Sequence, residues 1–381
     1  MIPDWIIIIF VFTLGACLGS FLNVVIYRLP REKSLITPPS SCPACNAPIK
    51  FYDNIPIFSW LILMGRCRKC KAAISPRYFV IELFTALLFV ATYVVYFMTP
   101  LRAGMPDLLA GGWLIYLIHI IMIASLVAAS AIDLELYIIP LSICWFVTLA
   151  GLIGAAVGPL ILDPVIIRSY YLFPVASAKV AILSAGALLG WIISLSLLML
   201  GVFKTSYTDE QTTPDNTEKN TQETYNHRLE MLKEVVFLAP VIIGSLVAFK
   251  IYSEYPKFVD WWVKISQPPV IAGIMGSIWG YFIGCATVWA TRIFGTLLFG
   301  KEAMGLGDVH LMGAAGAVLG PWPTVVAFFI APFFGLLWAT VQIFFRKIKQ
   351  IPYGPFLSIG LFVVIILHDG IRNWLNAVMF R

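Results

Sequence analysis

Long apolar runs separated by short polar segments set the pattern of this chain. Runs near 5–27, 79–98, 113–132, 138–159, 179–203, 235–252 and 270–299 have the length of roughly 17–25 residues that a helix needs to cross a bilayer. A shorter piece at 309–320 follows, then runs near 323–345 and 354–369. The short piece reads as a half-span or as the first part of a kinked helix, because Gly320-Pro321-Trp322-Pro323 interrupts it. The pattern predicts an all-α polytopic membrane protein with about eight to ten transmembrane helices. No Lys or Arg precedes the first run, and apolar residues continue past Cys17. Trp5 to Ile26 is therefore expected to be a retained span and not a cleaved signal.

Composition agrees. The 381 residues are 60% hydrophobic and 12% charged, with a mean hydropathy of +0.89. That charged fraction is about half of what soluble chains carry. The net charge of +6 reflects loop Lys and Arg. No basic stripe with interleaved aromatics occurs, which argues against nucleic acid as a partner and leaves lipid as the surrounding medium. The segment from Arg28 to Arg77 holds nine Lys and Arg residues, so it is expected to be cytoplasmic with the N-terminus outside. Counting spans onward brings Asp133 and Asp308 to that same face. Arg346, Lys347 and Lys349 agree, provided that 309–320 crosses or nearly crosses.

The expected organisation is a first transmembrane helix over 1–27, a small cytoplasmic tetracysteine domain over 28–78 and a membrane bundle carrying Asp133 over 79–159. A region of extra spans covers 160–268, and a second bundle carrying Asp308 covers 269–381. Within the region of extra spans, the loop 204–234 is rich in Thr, Asn, Gln, Glu and Asp. Its first part is expected to be disordered, and His227 to Lys233 to begin a helix. No internal repeat of fixed period is present.

Four of the seven cysteines form two C-x2-C pairs, Cys42 with Cys45 and Cys67 with Cys70. This spacing suits a tetrahedral zinc site in which each pair makes one knuckle. Four protein ligands leave no open position, so the metal would be structural, holding a loop that lacks a core of its own. The alternative is a pair of disulfides, which a reducing compartment and strained C-x2-C rings disfavour. Cys17, Cys144 and Cys285 stand singly in apolar spans and read as packing residues.

Asp133 and Asp308 each end an apolar segment, and a carboxylate beside hydrocarbon is costly enough to suggest function. Two carboxyls brought close share a proton near neutral pH. The ionised one can then activate water while the protonated one polarises a peptide carbonyl. Gly305 and Gly307 would let the backbone turn sharply and a substrate strand approach before the helix resumes at Val309. Pro140 and Pro352 lie near the same face, where they would break helices. Taken singly, each aspartate also reads as a solvated helix end, and Asp308 as a helix cap. Glu135 reads as part of the site's rim or as a solvated loop carboxylate. Glu82 falls in the first turn of the second span and is expected to be structural. His310 would tune Asp308 or make interfacial hydrogen bonds, and His119 is expected to pack inside the bundle. Trp113, Trp261 and Trp262 read as interface anchors.

These motifs, in this order, resemble the bacterial prepilin peptidases, or type IV leader peptidase/N-methyltransferase family. The stretch Gly19 to Pro30 (GSFLNVVIYRLP) looks like the family's opening motif. The tetracysteine loop follows with Tyr52 to Pro56 and Ser59 to Leu61 between its halves, then Arg77, Tyr78 and Glu82. Asp133, Lys301 to Asp308 (KEAMGLGD) and Ile351 to Leu357 (IPYGPFL) complete the likeness. The resemblance implies an aspartic endopeptidase of the bacterial inner membrane with its active site at the cytoplasmic face. It would remove the basic leader from type IV prepilins and type II secretion pseudopilins, cleaving after a glycine, with Asp133 and Asp308 as the catalytic pair. It also implies N-methylation of the new N-terminus with S-adenosylmethionine as methyl donor, an activity linked to the cytoplasmic loop. His310 stands where a Lys is common, Tyr353 where Phe is usual, and residues 160–268 fit the family pattern poorly.

Three other readings compete. A family member without methylation is one. A proton- or cation-coupled transporter using Asp133 and Asp308 is another, but it would favour carboxylates nearer the midplane in discontinuous helices. A zinc-stapled membrane scaffold is the third, and it would need neither carboxylate.

Overall fold

Each long apolar run folds as a helix, since a chain in hydrocarbon must satisfy its backbone polar groups within itself. The computed structural model describes residues 3–202, 226–344 and 352–379, and no β-strand occurs among them. The helices are α1 (Asp4–Arg28), the short α2 (Phe58–Ile62), α3 (Pro76–Phe97), α4 (Gly112–Leu136), α5 (Leu141–Ile161), α6 (Pro164–Tyr170) and α7 (Ala178–Met199). After the polar loop come α8 (His227–Glu254), α9 (Pro256–Ser266), α10 (Pro269–Phe299), α11 (Leu306–Leu319), α12 (Pro321–Phe344), α13 (Gly354–Ile366) and α14 (His368–Met379). Among the described residues, eight helices are long and apolar enough to cross a membrane. A ninth span results if α13 and α14, bent by 85°, count as one.

Local chemistry explains the ends. Ser75 caps α3 by accepting from the Arg77 N–H, with Pro76 at the first helical position, and Asp163 and Ser177 cap α6 and α7 in the same way. The piece expected at 309–320 is a separate helix, α11. Its 14 residues rise about 21 Å, short of the hydrocarbon core. Gly320, with φ +85°, ends it before Pro321 starts α12. The run expected at 354–369 stops at Ile366 and turns into α14, a short amphipathic helix with no counterpart in the predicted elements. The amphipathic α9 was equally unforeseen. His227 does begin a helix, as expected. The disorder expected earlier in that loop concerns positions outside the described residues, as do Arg346, Lys347 and Lys349.

The chain divides into two compact units, Met1–Ala150 with Val326–Arg381, and Gly151–Val325. In the first unit α1 and α3 pack backbone to backbone: a Cβ added to Gly15 or Gly19 would fall 2.7 Å from the Cα of Ala86 or Glu82. Asn23, from the opening motif, ties the same pair by donating to the Tyr78 carbonyl at 3.1 Å. Helix α13 docks on α4, where Ser130 bonds Ser358 at 2.9 Å. At the other end of α3, Arg102 pairs with Asp369 at 3.4 Å and bonds His368, fastening the loop before α4 to the start of α14. His119 packs in the bundle as expected, its Nδ1 2.7 Å from the Tyr96 hydroxyl.

In the second unit α7 and α8 form one close pair, and α10 and α11 another. A Cβ on Gly280 would sit 2.0 Å from the Gly316 carbonyl oxygen, and one on Gly284 2.2 Å from that of Met312. Ser277 adds a hydrogen bond to the Ala317 carbonyl at 2.7 Å. Cys144 and Cys285 are buried as expected. Cys17 is exposed on α1, so the packing role expected of it is not met inside the described residues.

Candidate active site and metal centre

The cysteine loop has almost no apolar interior, and two matching knuckles organise it. The Cys42 N–H donates to the Ala47 carbonyl and the Cys67 N–H to the Ala72 carbonyl, both at 2.9 Å. Left-handed residues, Asn46 (φ 52°) and Lys71 (φ 61°), close the two turns. All four sulfur atoms fall within 4.8 Å of one another, and Cys42 Sγ lies 3.8 Å from Cys70 Sγ. Four sulfurs about 2.3 Å from a tetrahedral ion would stand about 3.8 Å apart, so this cluster fits one metal ion. Backbone N–H groups of Cys70 and Lys69 lower the Cys67 thiol to about 6, which favours the thiolate that a metal binds.

Further contacts tie the two halves of the loop together and seat it on α3. Arg68 grips Asp53 through two nitrogens at 2.7–3.0 Å. Trp60 stacks on Phe79 of α3 with ring centroids 5.1 Å apart. Glu82 accepts the Ile57 N–H at 2.7 Å and so binds the start of α2 to α3. Its expected place in the first turn is corrected: α3 begins at Pro76, so Glu82 lies in the second turn and faces the loop. The structural role expected of it holds.

Asp133 lies in the last turn of α4, 6% exposed. Its Oδ2 accepts the Gly354 N–H at 3.0 Å, so the first residue of α13 holds the carboxylate. A Cβ at Gly354 would stand 2.7 Å from that oxygen, so any side chain there would have to displace the carboxylate. Oδ1 accepts no hydrogen bond from any described residue. Nearby, Glu135 pairs with Arg77; it lies in the last turn of α4 and not in a loop, and it is partly exposed.

Asp308 belongs to the second unit. It is 7% exposed and lies inside the first turn of α11, which starts at Leu306 and not at Val309. The helix cap is Gly305, not Asp308. Gly305 has φ −73° and ψ 150°, an extended conformation open to any residue, so no sharp glycine turn is present. His310, two residues on, stands 3.0 Å from the Tyr281 hydroxyl of α10, in line with the hydrogen-bonding expectation.

Two segments match family models: residues 13–96 the bacterial peptidase A24 N-terminal domain, and residues 234–340 the type IV leader peptidase family. The chain is 40% identical over 364 residues to an Escherichia coli O78:H11 type 4 prepilin-like proteins leader peptide-processing enzyme, covering 91% of this chain and 88% of that one. It is 33% identical over 397 residues to the prepilin leader peptidase/N-methyltransferase of Aeromonas hydrophila, covering 97% and 94%. The chain belongs to the type IV leader peptidase family. The corresponding Myxococcus xanthus protein is 40% identical over 166 residues, 39% of this chain and 45% of that relative. No solved structure matches. Asp308 lies inside the second matched segment and Asp133 between the two.

For a member of this family, the motifs now have physical roles. The opening motif seats α1 on α3, the stretch between the cysteine pairs docks the loop, and the PYGP stretch carries the amide that holds Asp133. Residues that the motifs did not single out also shape the Asp308 segment. Arg292 of α10 is fully buried and bonds Glu234, Glu302 and the Met304 carbonyl. Its signal was visible, since an Arg inside an apolar span demands a partner.

Proposed function

We propose that this protein is a membrane-embedded aspartic endopeptidase that removes the leader from type IV prepilins and type II secretion pseudopilins. Cleavage follows a glycine at the cytoplasmic face of the inner membrane. Asp133 and Asp308 are its catalytic carboxylates. The observation that carries this reading is that each is buried at a helix end, Asp133 held by the Gly354 N–H, in a chain with full-length relatives that bear the leader peptidase name. A transport relay would favour carboxylates within the midplane, whereas these occupy the last turn of α4 and the first turn of α11.

The chemistry needs one carboxylate and one carboxylic acid. The carboxylate takes a proton from water as its oxygen attacks the peptide carbonyl carbon, and the acid gives its proton to the carbonyl oxygen. Collapse of the tetrahedral intermediate breaks the C–N bond: the departing nitrogen takes the proton removed from water, and the other carboxylate regains one from the intermediate's hydroxyl. The products are the leader's carboxylate and a free N-terminal amine. Methylation of that amine is the second activity proposed. S-adenosylmethionine would supply the methyl group, and no side chain is assigned to it. Zinc is the metal that best suits the four cysteines, as a structural ion with no place in peptide cleavage.

The test is cleavage of a tagged prepilin in membranes by wild type, Asp133→Asn and Asp308→Asn. Both variants are expected to fold and to leave the leader attached. Normal processing by either one would remove that aspartate from the mechanism. Labelled S-adenosylmethionine added to the same reaction should mark the mature product, and an unlabelled product would leave a peptidase alone.

A further inference from the structure

The segment between α10 and α11 has no regular structure of its own, yet its backbone is held at defined points. Gly300, with φ +67°, ends α10, and the Ala303 N–H donates to the Thr296 hydroxyl at 3.1 Å. The remaining anchors converge on one side chain. Arg292, two turns before the end of α10, sends its guanidinium to the Glu302 carboxylate and the Met304 carbonyl. The opposite edge of the same guanidinium meets Glu234 of α8, with Nη2 2.9 Å from Oε1 and Nε 3.1 Å from both oxygens. Trp289 fixes Glu234 in turn, donating to Oε2 at 2.7 Å.

A planar guanidinium offers five donors in a rigid fork, which a lysine ammonium does not reproduce. Such a buried charge needs pairing wherever it sits. Charge balance alone does not require it to bind a backbone carbonyl four residues before Asp308.

We propose that Arg292 is a positioning residue for Asp308, with Glu234 as the counter-charge that aims its guanidinium at Glu302 and Met304. This rests on the reading of Asp308 as a catalytic carboxylate. Arg292 sets the path of residues 302–304, and that path sets where the Asp308 carboxyl stands at the start of α11. Lys301, exposed at the edge of this segment, reports on its mobility independently of catalysis.

The test compares purified full-length wild type with Arg292→Lys, Arg292→Gln, Arg292→Gln/Glu234→Gln and Asp308→Asn. It reads prepilin cleavage kinetics, thermal unfolding in detergent and the rate of trypsin cleavage after Lys301. Arg292→Gln is expected to lower kcat by about ten- to hundredfold with little change in KM, as misplacement of a reacting group does. Cleavage after Lys301 should accelerate, and Arg292→Lys should fall between wild type and Arg292→Gln. The double variant removes both buried charges, so it should regain thermal stability while kcat stays low. Full recovery of kcat in the double variant would reduce Arg292 to charge balance and overturn the proposal. Unchanged trypsin cleavage in Arg292→Gln would also overturn it. An active Asp308→Asn enzyme would instead refute the reading of Asp308, while the trypsin rates would still decide whether Arg292 holds the segment.

Discussion

Replacing Gly354 by alanine adds one methyl group at the most sensitive contact of Asp133. The new Cβ would stand 2.7 Å from Oδ2, 3.3 Å from Cγ and 3.0 Å from Ile139 Cδ1. Close carbon–oxygen contacts settle at about 3.3–3.6 Å, so carboxylate and helix must part by about 0.6–0.9 Å. The 3.0 Å bond from the Gly354 N–H breaks as they separate. A hydrogen bond to a charged group contributes about 1.5–3 kcal/mol, and overpacking of a tight site costs about 1–3 kcal/mol. A misplacement of about 1 Å lowers catalysis about a hundredfold, so Gly354→Ala should lose about ten- to hundredfold in kcat. The assay is steady-state cleavage of a prepilin by detergent-purified enzyme, with thermal unfolding measured on the same samples. Gly360→Ala is the control: its Cβ would meet the Ala327 carbonyl oxygen at 2.5 Å, a packing lesion on the same helix away from Asp133. It should lose stability and keep its turnover at temperatures where it stays folded. Wild-type kcat in Gly354→Ala would refute the claim that this amide sets the working position of Asp133.

Glu82→Gln keeps an acceptor for the Ile57 N–H but weakens it. Docking of the cysteine loop should loosen by about 1–2 kcal/mol, read as faster proteolysis of residues 28–75. The purified chain should hold one zinc per molecule, and Cys42→Ser, Cys45→Ser, Cys67→Ser and Cys70→Ser should each lower that content. Full occupancy across the set would refute the ligand assignment. Gly316→Val drives a side chain into the Gly280 carbonyl, which an added Cβ would meet at 2.1 Å. It should prevent folding of the α10–α11 pair, seen as loss of the protein from the membrane fraction.

The membrane helices were legible because hydrocarbon demands long apolar runs, and the apolar runs are long. Helices α9 and α14 escaped because short amphipathic segments carry too many polar residues to register as spans. The start of α3 could have been read correctly, since Ser75 followed by Pro76 is a cap signature. That would have placed Glu82 beyond the first turn. The cysteine cluster was legible from spacing alone, because ligand geometry is local. The amide that holds Asp133 was not, because no local rule joins positions 221 residues apart. The glycines before Asp308 misled for a different reason: glycine permits a sharp turn without requiring one, and Gly305 is extended.

The distance along the chain between Asp133 and its donor also has a consequence for biogenesis. The ribosome delivers α4 to the membrane 221 residues before the Gly354 amide exists. Through that interval the carboxylate lacks the hydrogen bond that holds it in the finished protein. A nascent chain, or one clipped ahead of α13, therefore carries the Asp133 carboxyl without the amide that aligns it. On the reading of Asp133 as a catalytic carboxylate, completion of the C-terminal helices is the step that arms the enzyme.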